Sequence, residues 1–191
     1  DLFSEREIDP SAGVLQQNQL LTTRLRSRCA DCHGAQHPNP DGGRFVVARG
    51  NRRGKIYADN ANRRLFLKTL SEACGMTGWR VHAWVLLSNH YHLMIETPEP
   101  NLVEGMKWLQ NAVTRRFNVR HRAWGRVFGD RYKAVLVEGK QRFYYETLMD
   151  YIHLNPVRAK LVRVANGKGI LEYRWSSLAM GYALPSRKRA P

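Results

Sequence analysis

The chain is short of acid. Over 191 residues, 16 aspartates and glutamates face 31 lysines and arginines, a formal net charge of +15. Such an imbalance favours polyanionic partners, nucleic acid foremost. Cysteine is scarce too: three residues cannot make an even disulfide framework, as expected of a reducing compartment. No apolar run approaches the roughly 20 residues that cross a bilayer, so no membrane partner is expected. No secretory signal is visible, and the chain starts at Asp1 instead of methionine. We therefore expect a cytoplasmic protein whose natural start lies upstream. Internal repeats are missing as well, which argues against a repeat array.

What is present is globular. Hydrophobic residues make up 43% and aromatics 10%, enough for a core and too much for disorder. The length suits one domain with an appendage. The basic residues are interleaved with aromatics, as in Arg116-Phe117, Arg122 with Trp124, and Arg131-Tyr132-Lys133. That pattern suits nucleic acid with exposed bases, since arginine meets phosphate while rings stack on bases. The plain alternative is a soluble basic protein with no such partner.

Residues 1–43 form an atypical N-terminal extension, glycine-, proline-, asparagine- and aspartate-rich over 30–43, with at most a weak amphipathic helix within 13–25. Residues 44–165 form the main domain, and 166–191 a basic tail. The domain opens with a strand over 44–48 and a basic turn over 49–54. Asp59 or Asn60 caps a helix through about Cys74, with Phe66, Leu67, Leu70, Ala73 and Cys74 as its stripe. Gly75 and Gly78 end it. Strands over 79–87 and 90–96 make a hairpin around Ser88-Asn89. The spacing of Leu102, Met106, Leu109, Val113 and Phe117 predicts a helix, followed by a basic loop at 120–126 and a strand over 132–137. A last helix over 141–154 is expected to stop at Asn155-Pro156, because the residue before proline avoids the α region. The order strand, helix, strand, strand, helix, strand is that of an α+β, ferredoxin-like or RRM-like antiparallel sheet with helices packed on one face. The other face is left for a site.

Asn89-His90-Tyr91-His92 is the most informative stretch. Alternation along a strand puts His90 and His92 on one face, where two neutral imidazoles can hold a divalent cation. Alternatively they are polar residues on an exposed strand face. Tyr151 and Asn155, four apart, share a helix face. A metal and a tyrosine hydroxyl together suggest phosphoryl transfer, with the tyrosine as attacking group. Tyr144 and Tyr145 compete for that role; Tyr144 is two turns before Tyr151 on its approximate face, so helix geometry does not choose between them. Asn155 is either a ligand or a helix cap. His82, Glu96 and His153 are weaker ligand candidates. Arg49, Arg52, Arg131, Lys133 and Arg158 are candidate phosphate contacts, and Trp124 is a base-stacking or a core residue. Cys29-Ala30-Asp31-Cys32-His33 matches a haem-attachment signature, or with His37 a zinc site, but without an export signal we take it as incidental.

Four stretches together carry a resemblance. Ala48-Arg49-Gly50-Asn51-Arg52, Trp84-Val85-Leu86-Leu87-Ser88-Asn89-His90-Tyr91-His92-Leu93, Gly129-Asp130-Arg131-Tyr132-Lys133-Ala134 and Tyr151-Ile152-His153-Leu154-Asn155-Pro156-Val157-Arg158 resemble the REP-associated tyrosine transposases, within the HUH single-strand DNA transposase superfamily. The likeness spans 45–162, about three-fifths of the chain; the long N-terminal extension departs from it. The resemblance implies a histidine pair on a central strand and a catalytic tyrosine on a following helix. It further implies that Tyr151 is the nucleophile, that His90 and His92 with Asn155 bind Mg²⁺ or Mn²⁺, and that Asn51 joins the basic residues in binding DNA. The implied partner is single-stranded, hairpin-forming DNA, cut through a 5′-phosphotyrosine, by a monomer or a homodimer. The rival readings are a non-catalytic RRM-like nucleic-acid binder and an exported haem protein.

Overall fold

Valine, isoleucine, leucine and aromatics at alternate positions build four strands: β1 (Gly43–Arg49), β2 (Arg80–Leu86), β3 (His90–Glu96) and β4 (Lys133–Val137). In this computed structural model, which describes residues 43–129, 131–137, 142–162 and 169–182, they form one antiparallel sheet in the order β2-β3-β1-β4. That is the ferredoxin-like order. The expected extension, with Cys29, Cys32, His33 and His37, lies outside the described residues, as does the tail beyond 182.

Helix α1 (Asn60–Thr77) joins β1 to β2, and α2 (Leu102–His121) joins β3 to β4. The Asp59 carboxylate caps α1 by accepting from the Asn62 N–H at 2.7 Å. The helix runs past Cys74 and through Gly75, because only Gly78, at φ 74°, takes the left-handed conformation that ends it. Helix α2 likewise outruns the expected Phe117 by a turn and stops at Arg122. Both cover one sheet face, where Phe66, Leu70, Met106 and Leu109 meet Val46, Tyr91, Leu93 and Ile95. Each such side chain stabilises the fold by about 1.5–3 kcal/mol on burial. Gly105 lets α2 seat on Trp79: a Cβ there would collide with the indole, whose Nε1 donates to Asn101 Oδ1 at 2.7 Å.

The expectation of helices on one face holds for α1 and α2, while α3 (Arg142–Arg158) lies across the opposite face over β2 and β3. There Ile152 packs with Ala83, Val85, Met94 and Val137. Helix α3 does not stop at Asn155-Pro156. Pro156 has no N–H to give the Ile152 carbonyl, yet the helix continues to Arg158. Burial of Ile152, Asn155 and Pro156 against the sheet outweighs that loss, and the Ala159 N–H closes the turn onto the Asn155 carbonyl at 2.8 Å.

Beyond a single helical turn, α4 (Gly169–Glu172), residues 173–177 run along the outer edge of β2. The Leu86 N–H donates to the Trp175 carbonyl, and the Ser177 N–H to the Trp84 carbonyl, both at 2.9 Å. The Tyr173 hydroxyl donates to the Leu86 carbonyl at 2.7 Å, and Trp175 is buried in the first core. A domain boundary at 165 therefore leaves out a segment that satisfies the open edge of β2. No described helix is long and apolar enough to cross a membrane.

Candidate active site

Cross-strand register decides what shares the α3 face. Arg49 pairs with His90, and Val47 pairs with both His92 and Lys133. Phe45, Val47 and Arg49 therefore line up beside the histidines, and Lys133 lies two strand spacings from His92, roughly 10 Å. Helix α3 sits over β2 and β3, so the β4 end of this face stays open: Lys133 is exposed and Val135 is 52% exposed.

His92 is 5% exposed, and neither ring nitrogen has a hydrogen-bond partner among the described residues. Its ring stacks on Phe45, with centroids 5.6 Å apart at 16°. Tyr151 meets it edge-on at 5.8 Å, and His90 at 5.1 Å. Burial holds the His92 imidazole down to about 4, helped by His90 and Arg49. Burial and Arg49 also lower His90. Both rings are thus neutral at neutral pH, the state in which imidazole has a lone pair for a cation.

Asn89 orients the second imidazole. Its Oδ1 lies 2.7 Å from His90 Nδ1, and an amide oxygen can only accept, so Nδ1 carries the proton and Nε2 the lone pair. The Asn89 amide nitrogen donates to the Arg53 carbonyl at 3.1 Å, tying His90 to the basic turn. Sequence reasoning placed Asn89 only in a hairpin turn; the signal available was an amide directly before a histidine whose ring needs an orienting acceptor.

On α3, Tyr151 projects toward His92 and Phe45, and the Arg158 guanidinium carbon stands 4.8 Å from its ring centroid. Seven residues separate them, two turns on one face. Asn155 is buried, and its Nδ2 donates to the Tyr151 carbonyl at 2.8 Å, which leaves Oδ1 as the atom able to ligate. Tyr145 packs instead on His82, 5.6 Å between centroids, away from the pair. The side chain of Tyr144 lies outside the described residues. The weaker ligand candidates are engaged elsewhere: His82 Nε2 with Glu96 Oε2 at 3.1 Å, Glu96 also with Arg80, and His153 Nε2 with Ser177 Oγ at 2.8 Å.

The basic candidates divide. Arg49 stands beside the histidines and Arg158 beside Tyr151. Asn51 and Arg52 are exposed on the turn after β1, where Arg52 is held at φ 50°; Arg131 is exposed just before β4. Trp124 is fully in solvent, so a core role is excluded.

A profile of the IS200-like transposases matches residues 44–155, more than half the chain. The chain belongs to the IS200-like transposase family. No curated protein sequence matches it. The solved structure of a REP-associated tyrosine transposase bound to a REP hairpin superposes with a TM-score of 0.62 at 16% identity, covering 75% of this chain and 81% of that one. The fold is shared, and the expected resemblance holds at that level. A crystal structure of a protein from Deinococcus radiodurans R1 assigned as a transposase is also similar, with a TM-score of 0.43, 16% identity, and coverage of 57% and 88%.

Among the described residues of this IS200-like transposase, no group of three or more His, Cys, Asp or Glu is gathered for a metal. What the described residues bring together is two neutral imidazoles beside Tyr151, one of them with both nitrogens unpaired among those residues, while Asn155 follows Tyr151 by one turn with its amide nitrogen held on the Tyr151 carbonyl. A buried imidazole without a partner is costly unless something absent supplies one. A divalent cation fits that donor set.

Proposed function

We propose that this IS200-like transposase cleaves and rejoins single-stranded, hairpin-forming DNA through a 5′-phosphotyrosine on Tyr151. His90, His92 and Asn155 would hold Mg²⁺ or Mn²⁺. The observation that carries the reading is the edge contact of the Tyr151 ring with His92, whose two ring nitrogens have no partner among the described residues.

A phenol titrates near 10 and is a weak nucleophile at neutral pH without help. Arg158 over the Tyr151 ring offers a donor fork to a phosphate beside the phenol. Phe45 and His92, stacked side by side on the sheet, both meet the Tyr151 ring edge-on and give it a seat. Attack forms the Tyr151 Oη–phosphorus bond and breaks the phosphorus–O3′ bond; the phenolic proton leaves and a free 3′-OH remains. A bound cation would polarise the phosphodiester and offset charge on the departing oxygen. Because the phosphoester bond survives on Tyr151, a 3′-OH can attack it and restore a phosphodiester. Arg49, Arg131 and Lys133, with Asn51 and Arg52 on the turn, line the approach with positive charge and donors for the DNA backbone.

Incubation of a hairpin oligonucleotide library with the protein and Mn²⁺ tests this directly. A covalent protein–DNA adduct that survives denaturation is expected from wild type and is lost in Tyr151→Phe. Adduct formation by Tyr151→Phe would reassign the nucleophile. Hairpin binding that EDTA leaves intact, with no adduct under any divalent ion, would support a non-catalytic binding module instead.

A further inference from the structure

The chain has five tryptophans, and three are packed in the interior. Trp79, Trp84 and Trp175 are buried; Trp108 on α2 is 37% exposed, and Trp124 is 97% exposed. An indole in water contributes nothing to the core and leaves a large apolar face open. Its loop is nevertheless held firmly. The Ala123 N–H donates to the Asn118 carbonyl at 3.0 Å, and Asn118 Nδ2 donates to the Gly125 carbonyl at 2.9 Å. Gly125 takes φ 92°, a turn that side-chain-bearing residues rarely adopt. On the far side the loop joins the basic turn: the Asn51 N–H donates to the Val127 carbonyl and the Gly129 N–H to the Arg49 carbonyl, both at 3.0 Å. Phe128, in between, is buried in the core. Trp124 thus rides a pre-organised loop fastened to the strand end that carries Arg49 beside His90.

Charge names the occupant. No acidic residue occurs between Glu104 and Asp130. Arg122 and Arg126 flank Trp124, are exposed, and have no ion-pair partner among the described residues. The adjoining turn adds exposed Arg52 and Arg53. An aromatic face between unpaired guanidinium groups fits a flat, uncharged ring carried on an anionic backbone, which is a nucleobase outside a duplex. Resting on the transposase reading, we infer that Trp124 is a stacking platform for an unpaired base flanking the hairpin, with Arg122 and Arg126 on the neighbouring phosphates. In this role it is a DNA-positioning residue.

Fluorescence anisotropy with two labelled hairpins, one blunt and one with an unpaired flank, tests the inference on the full chain. Wild type should prefer the flanked hairpin, and abasic sites in the flank should abolish the preference. Trp124→Ala should bind the flanked hairpin roughly tenfold more weakly while leaving blunt-hairpin affinity unchanged. Trp124→Phe should recover most of the loss, and thermal melts of both variants should match wild type. Equal binding of the flanked hairpin by wild type and Trp124→Ala, or an equal loss on both hairpins, would overturn the stacking role. So would a Trp124→Ala effect confined to self-association. If wild type forms the Tyr151 adduct but shows no dependence on Trp124, the inference alone fails. A Trp124-dependent flank preference without any adduct would sink the transposase chemistry and leave the stacking intact.

Discussion

Asn89 and His90 are joined side chain to side chain at 2.7 Å, and through Asn89 the imidazole is tied to the backbone of the basic turn. One amide thereby sets the tautomer of a candidate ligand and the position of residues 51–53. Asn89→Ala should weaken Mn²⁺ binding by about 10–100-fold, as loss of an orienting partner does elsewhere. Calorimetric titration of Mn²⁺ into wild type and variant would check it; unchanged affinity would mean that Asn89 serves the turn only.

His92 has the opposite balance. It is buried with both nitrogens unpaired among the described residues, so it costs stability in the metal-free protein. His92→Leu should raise the urea midpoint in EDTA by the equivalent of about 1 kcal/mol. The same variant should lose the stabilisation that Mn²⁺ gives wild type. A less stable variant in EDTA would show that the imidazole is satisfied in a way the geometry does not reveal.

The strap over residues 173–177 holds the helix of Tyr151 from behind. Ser177 Oγ lies 2.8 Å from His153 Nε2 and also receives the Trp84 N–H at 3.0 Å, all within the interior. Ser177→Ala leaves these groups short of a partner and should cost about 1–3 kcal/mol, read as a lower urea midpoint. Adduct yield on the hairpin should fall with it, because α3 loses its fixed seat on β2.

Acid should unfold the metal-free protein early. Burial holds His92 and His153 down to about 4, against an unfolded value of 6.5. Between those values the unfolded chain binds protons that the folded one refuses, so stability rises with pH across the window. It is complete above about 6.5 and falls as pH drops toward 4, by up to about 3 kcal/mol per histidine. Chemical denaturation in EDTA at several pH values measures the slope; a flat profile would contradict the burial of both rings.

Arg158→Ala should weaken hairpin binding broadly and reduce the slope of log affinity against log salt by about one. It should also slow adduct formation at saturating DNA, because the guanidinium over the Tyr151 ring is lost. An unchanged salt slope would leave Arg158 as a packing partner of the ring and nothing more.

Much of the fold was legible because it rests on short-range patterns. The β3 span 90–96 was read without error, since its period-two alternation is bounded by a turn and by Pro98. The ferredoxin-like order followed from element succession alone. Helix α3 was misjudged at its end because a local preference at Asn155-Pro156 lost to burial against β2, which no local pattern reveals. Residues 173–177 read as part of a tail for a similar reason: their partners at Trp84 and Leu86 are some 90 residues away in the chain, and edge pairing leaves little periodic signal.

The site was half visible. Strand alternation placed His90 and His92 on one face, and helix spacing placed Tyr151 and Asn155 on another, both by local geometry. Whether those two faces meet is a matter of which sheet face α3 covers, and only long-range packing decides it: Ile152 among Ala83, Val85 and Met94 turns Tyr151 onto His92. Likewise, the basic, aromatic character of residues 120–133 was written in the chain, but a tryptophan in water and one in a core look alike in sequence. Burial is a property of what surrounds a residue, and neighbours distant along the chain supply it.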